Sequence, residues 1–359
     1  MQNLSFQTSA EMYNGVKIPL LGYSAEEHAY NYQTQVEIFE DAIDVGFRYF
    51  DLRDEDEAFR ALRKAIKNSG IPRENFFVAA RMRQVEMRCR FPVERLNEDM
   101  QQFGAEDGED VYFDLFSLPW PMFDQFLSAW CGRDYRKEEN YYPFPVQSFY
   151  KEGLVRAIGV CNFEIHHLKE LMNSPRFEIM PMINQSHFHP LFTSPELRKF
   201  CAEKGILFGG LFEENGLVQP TKPTFTTDTW RNGEQFETDE YAKIANRTTI
   251  RARSHSLPDG VYMKDPIRRD LNPRLPHFYY DGFSPISKIA KKHEKTNLQV
   301  VTRWSLQHGV VTLAKTIWRK KMEEYADVFS FSLDENDMAM IDALNADFRI
   351  GYNPDYIDF

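Results

Sequence analysis

Val155–Phe163, VRAIGVCNF, and Met182–Pro190, MINQSHFHP, decide how this chain folds. Each is a short apolar run that stops abruptly in polar residues. That is the pattern of a buried parallel strand whose carboxyl end opens into a site. Similar runs lie outward on both sides: Phe47–Asp51, Phe76–Arg81, Val111–Pro121, Ile206–Phe212 and Val310–Lys315. Helical periods separate them. Val36, Phe39 and Ile43 share a face that stops at Gly46, and Phe59, Leu62 and Ile66 share one that stops at Gly70. Ile165, Leu168 and Met172 mark another helix, and Leu197, Phe200 and Cys201 one more, opened by Ser194-Pro195 as N-cap and first-turn proline. Ser332-Leu333-Asp334-Glu335 has the form of a capping box before Met338, Ile341 and Leu344. Leu4–Gly22 alternates weakly and turns at Asn14-Gly15, which predicts an N-terminal β-hairpin leading into the first strand. Strand followed by helix, repeated along the chain, predicts an α/β protein built as a (β/α)8 TIM barrel.

The 359 residues are read as one barrel domain, 1–359, interrupted by a long insertion after strand seven, 213–284. That stretch has no clear period and is rich in Pro, Thr, Asp and Arg, with Phe278-Tyr279-Tyr280 near its end. Following strand seven, it emerges at the carboxyl face, where barrels of this kind carry their sites. A lid and a contact with another subunit or a protein partner are comparable readings.

Hydrophobic residues at 42% and charged residues at 27% are ordinary for a globular protein with a large core. A net charge of −11 argues against a nucleic-acid partner. No apolar run reaches the length of a membrane span, and the polar start MQNLSFQTSAEMYNG lacks the form of a signal peptide. Cys89, Cys131, Cys161 and Cys201 lie far apart without a CxxC pair and read as reduced thiols. A cytoplasmic protein is expected.

In sequence and spacing, IGVCNF and INQSHFHP resemble strands five and six of the aldo-keto reductases. So do the run IAKKHEKTNLQVVTRWSLQHGVV (289–311) and the segment DVFSFSLDENDM (327–338), and the resemblance extends from about Leu4 to Arg349. It implies a carbonyl reductase that uses NADPH, with an Asp-Tyr-Lys-His constellation in which the Tyr donates a proton and the Lys lowers its pKa. Here Asp51 matches the Asp, the Tyr position falls on Asp56, the Lys position on Arg81 and the His position on Pro119. Arginine cannot release its proton at working pH and cannot tune a donor as lysine does. An aspartate beside an arginine is pushed further from proton donation. Asp51, Asp56 and Arg81 therefore read first as a structural ion pair and second as a catalytic set.

For the implied cofactor, NADP, Asn162 and Gln185 match the groups that bond the nicotinamide carboxamide, with Cys161 in place of the usual Ser. Lys315, Thr316, Lys321 and Glu324 fall where the family grips the adenosine phosphate and adenine. Leu211 stands where a Tyr stacks on nicotinamide, and Glu213 and Glu214 replace residues that span the pyrophosphate, which they would repel. His187, where the family has Glu, lies on the same side of its strand as Gln185 and is a candidate acid or base. His189 reads as structural, and His166-His167, at a helix start, read as facing solvent. Asp51, Asp56, His187 and Glu213 show no metal-ligand spacing, and no metal is expected.

Three functions follow, in this order. One is a divergent reductase acting on a small molecule by a non-standard proton relay. Another is a lyase, isomerase or cyclase on the same barrel, using Asp56, His187, Glu213 and Glu214 as acid and base groups. The last is a non-catalytic nucleotide-binding partner.

Overall fold

The computed structural model describes residues 4–24, 31–52, 56–82, 100, 103, 112–121, 125–132, 145–211, 230–231, 234–235, 285–347, 349 and 353–356. Eight parallel strands close into a barrel: β3 (Leu21–Ser24), β4 (Tyr49–Leu52), β5 (Phe77–Arg81), β6 (Leu115–Leu118), β7 (Ile158–Cys161), β8 (Ile183–His187), β9 (Leu207–Leu211) and β12 (Val311–Lys315). Neighbours follow chain order, and β12 joins β9 to β3. The expected (β/α)8 barrel is the architecture found.

Ahead of it, β1 (Ser9–Glu11) and β2 (Lys17–Pro19) form the expected antiparallel hairpin. Gly15, at φ +86°, supplies the left-handed residue its turn needs. Within 213–284, the stretch expected to be an insertion, β10 (Trp230–Arg231) and β11 (Glu234–Gln235) pair as a small ladder; the rest of it lies outside the described residues.

The helices are α1 (Tyr32–Val45), α2 (Asp56–Ser69), α3 (Gln125–Cys131), α4 (Val146–Lys151), α5 (Ile165–Asn173), α6 (Pro195–Glu203), α7 (Pro285–His293), α8 (Asn297–Gln307), α9 (Arg319–Ala326) and α10 (Glu335–Asp342). None is long and apolar enough to cross a membrane, among the described residues. Their ends carry local signals. Asn31 accepts from Thr34 N to start α1, and Gly46, at φ +122°, stops it. Two expected caps differ from what is found. The box before α10 is closed by Asp334 and Asp337, not by Ser332, because the helix begins two residues later. Ser194 does stand at the N-cap of α6 with Pro195 after it, but in a left-handed conformation and without a side-chain cap bond.

Packing forms two shells. Between barrel and helices lie aromatic groups such as Phe39, Phe47 and Phe50, and Phe188 stacks on Trp304 with centroids 4.6 Å apart. Low in the barrel wall, fully buried Asp114 accepts from Arg73 at 2.9 Å, Arg156 at 2.6 Å and the Val78 amide at 2.9 Å. This knot joins β5, β6 and the approach to β7.

The inner shell is set by the two-residue alternation of each strand. Gly22 and Gly209 are inward positions with no side chain. A Cβ on Gly22 would lie 2.2 Å from Tyr49 Cδ1, and one on Gly209 would lie 2.8 Å from Gln185 Cγ. Both glycines make room for a long polar side chain to cross the barrel.

Candidate active site

The crossing side chains meet at one carboxylate. Oδ2 of Asp51, fully buried on β4, accepts from Arg81 Nη2 at 2.8 Å, from the Tyr49 hydroxyl at 2.9 Å and from Gln185 Nε2 at 3.3 Å. Gln185 Nε2 also lies 3.3 Å from the Tyr49 oxygen, and its Oε1 accepts from Cys161 Sγ at 3.7 Å. The cluster thus draws on β4, β5, β7 and β8. Tyr49 and Asp51 reach it together because they are two residues apart on one strand.

Its electrostatics favour holding protons. Burial alone lowers the pKa of Arg81, but the Asp51 carboxylate more than offsets this, and the result is raised above the usual arginine value. Burial, then the charge of Asp51, lift Tyr49 well above the ordinary phenol value. Neither side chain is poised to give up a proton near neutral pH.

Three atoms nearby lack partners among the described residues: Asp51 Oδ1, Arg81 Nε and Ser117 Oγ. Arg81 and Ser117 are register partners on β5 and β6, so two of these lie at one level of the barrel. Above them, Asn162 takes a left-handed conformation at φ +62° just past β7. Its Nδ2 donates to the Pro119 carbonyl at 3.1 Å, while Oδ1 is buried without a partner. His187 ends β8, buried and on the inward side with Gln185.

The other sequence-predicted residues lie further round the rim. Lys315 ends β12, and the Thr316 carbonyl accepts from the Tyr23 hydroxyl. Lys321 Nζ and Glu324 Oε2 are 2.6 Å apart on α9, and Glu324 Oε1 accepts from Thr296 Oγ1. Asp56 opens α2, and its side chain lies outside the described residues, as do Glu213 and Glu214. The structure therefore brings together Asp51, Arg81, Cys161 and Gln185, and sets Lys321 and Glu324 apart from them as a separate pair.

Sequence reasoning missed Tyr49, although the alternation that faces Asp51 inward faces Tyr49 inward too. It also misplaced His167. This residue is buried because its Nδ1 accepts the Glu164 amide at 3.1 Å and closes a capping box on α5, while His166 stays exposed. His166, His167 and Asp355 form the one three-residue group with metal-ligand reach among the described residues. With Nδ1 of His167 accepting, Nε2 carries the proton in the neutral ring and lies 3.4 Å from Asp355 Oδ1, while His166 Nε2 lies 2.9 Å from the same oxygen. Cys131, Cys161 and Cys201 are buried and form no disulfide among the described residues.

Comparison with known proteins adds context. Residues 21–346 match the family model for the aldo/keto reductase family. A glyoxal reductase of Bacillus subtilis is 28% identical over 355 residues, covering 99% of both chains. A 9,11-endoperoxide prostaglandin H2 reductase of Trypanosoma cruzi is 28% identical, covering 96% of this chain and 94% of its own. Among solved structures, an aldo-keto reductase from a Medee basin deep-sea metagenome library aligns over 98% of this chain and 100% of its own, with a TM-score of 0.66 and 24% identity.

Proposed function

Because this chain belongs to the aldo/keto reductase family, we propose that it binds NADP(H) and reduces a small dicarbonyl compound through a rebuilt proton relay. The Asn162 carboxamide carries the reading. Its Oδ1 is a buried acceptor without a partner at the carboxyl end of β7, and an amide N–H of the nicotinamide group would satisfy it. Gln185 fits that group less well, since Tyr49, Asp51 and Cys161 already engage its amide. At the other end, Lys315 and Lys321 supply positive charge for a phosphate, with Thr316 and Glu324 beside them.

When bound, the dinucleotide supplies a hydride to the carbonyl carbon. Arg81 meets the charge that develops on the carbonyl oxygen: its guanidinium is permanently charged, fixed by Asp51 and shielded from water, where such a charge acts most strongly. Since Arg81 and Tyr49 hold their protons, His187 at the end of β8 is the group that returns one to the oxygen. The glyoxal and methylglyoxal reductases among the relatives suggest the substrate class.

The test is a titration with NADPH and NADH followed by tryptophan quenching, then a search for NADPH oxidation with glyoxal and methylglyoxal. Binding that Asn162→Leu weakens, with turnover that His187→Ala abolishes, is the expected result. Absence of binding by either nucleotide sinks the proposal.

The raised pKa values of Arg81 and Tyr49 also suit a second reading, a protein that binds the nucleotide without turning it over. Tight NADPH binding with no oxidation across a broad panel of aldehydes and ketones would favour it. The lyase, isomerase or cyclase alternative draws on Asp56, Glu213 and Glu214, whose side chains lie outside the described residues.

A further inference from the structure

The Asp51 carboxylate is loaded unevenly. Oδ2 takes three donors, from Arg81, Tyr49 and Gln185, while Oδ1 takes none. Tyr49 is what makes the arrangement asymmetric. Gln185 Nε2 points at the phenol oxygen, which leaves the hydroxyl proton directed at Asp51. Gln185 is itself oriented by Cys161, whose thiol meets Oε1. The donor directions thus run from Cys161 through Gln185 and Tyr49 and converge on Asp51. The ring behind that hydroxyl is held by Gly22 on one side and by an edge-on contact with Phe77, centroids 5.1 Å apart, on another.

We propose that Tyr49 is a positioning residue for the reaction, fixing the rotation of Asp51 so that Arg81 is held by a single nitrogen in one orientation. A carboxylate without the phenol can turn and offer both oxygens to the guanidinium as a fork, the geometry arginine and carboxylate prefer when nothing else intervenes. Arg81 would then sit differently toward the mouth, and a displacement of even an ångström at such a group slows a reaction severely. Tyr49 is not the proton donor: its hydroxyl is committed to Asp51, and the side chain is fully enclosed.

The catalytic consequence rests on the reductase reading, but the positioning itself does not. Two measurements on the full chain therefore separate them. In 15N-edited spectra, the side-chain nitrogens of Arg81, assigned with Arg81→Lys, are expected to shift in Tyr49→Phe. Gly22→Ala, which displaces the ring while keeping its hydroxyl, is expected to shift the same signals. In steady-state kinetics, Tyr49→Phe is expected to lower kcat by about tenfold or more with KM changed less than about twofold. Arg81 signals unchanged in both variants overturn the inference, whatever the activity. Shifted signals together with a wild-type chain that binds no dinucleotide would sustain the positioning role and remove the reductase reading instead. Shifted signals with an unchanged kcat would confine Tyr49 to structure and so overturn its part in the reaction.

Discussion

A Cβ atom on Gly22 would stand 2.2 Å from Cδ1 of Tyr49, so the bare backbone of β3 is what seats the phenol carried by its neighbour β4. Gly22→Ala forces the ring to move within a packed barrel. Overpacking of this kind costs about 1–3 kcal/mol. Chemical denaturation should show that loss, and Tyr49→Leu in the same chain should recover part of it, since the two sites are in contact.

Removing one member of the central ion pair should be worse than removing both. Asp51→Asn leaves a guanidinium that is only 6% exposed without its counter-ion. The expected loss is about 3–5 kcal/mol. Asp51→Asn combined with Arg81→Met should be more stable than Asp51→Asn alone when measured by urea unfolding. A double variant less stable than that single one would contradict the ion-pair account.

Asp114 offers a structural counterpart far from the chemistry. Asp114→Asn weakens its bonds to Arg73 and Arg156 while keeping an acceptor for the Val78 amide. A loss of about 1–3 kcal/mol is expected. The kcat of the folded fraction should stay at the wild-type value.

Two buried imidazoles should make the fold sensitive to acid. Burial, helped by the neighbouring His166, lowers His167 from 6.5 to about 4. Burial, with the charges of His187 and Arg349, lowers His189 to about 3. As pH falls below 6.5 the unfolded chain takes up protons that the folded chain refuses, so stability drops. The contribution is fully present above pH 6.5 and disappears as pH falls toward 4 for His167 and 3 for His189. Melting temperature measured across that range should decline on the acid side, and His189→Phe should flatten the decline. A slope unchanged by that substitution would remove His189 from the explanation.

Lys321 tests the adenosine end. Lys321→Glu replaces the charge paired with Glu324 by a repulsive one. NADPH affinity should fall about tenfold or more, and NADH affinity much less, because only the former carries the extra phosphate. Fluorescence titration of both nucleotides decides it.

The sequence by itself determined the barrel. VRAIGVCNF and MINQSHFHP, with the runs around them, are buried on both faces, and such strands must alternate with amphipathic helices to cover them. The hairpin at Asn14-Gly15 and the helix stop at Gly46 were legible because φ is a local property of the residue. Asp51, Arg81 and Gln185 were legible as strand-end groups. Their convergence was not, nor was the part played by Tyr49, because which inward side chains touch depends on strand tilt and register around a closed barrel. The burial of His167 likewise depends on a cap that forms only once α5 is in place. Only the tertiary structure decided that three donors share one oxygen of Asp51, since that requires three strands, β4, β5 and β8, to present their side chains at one level.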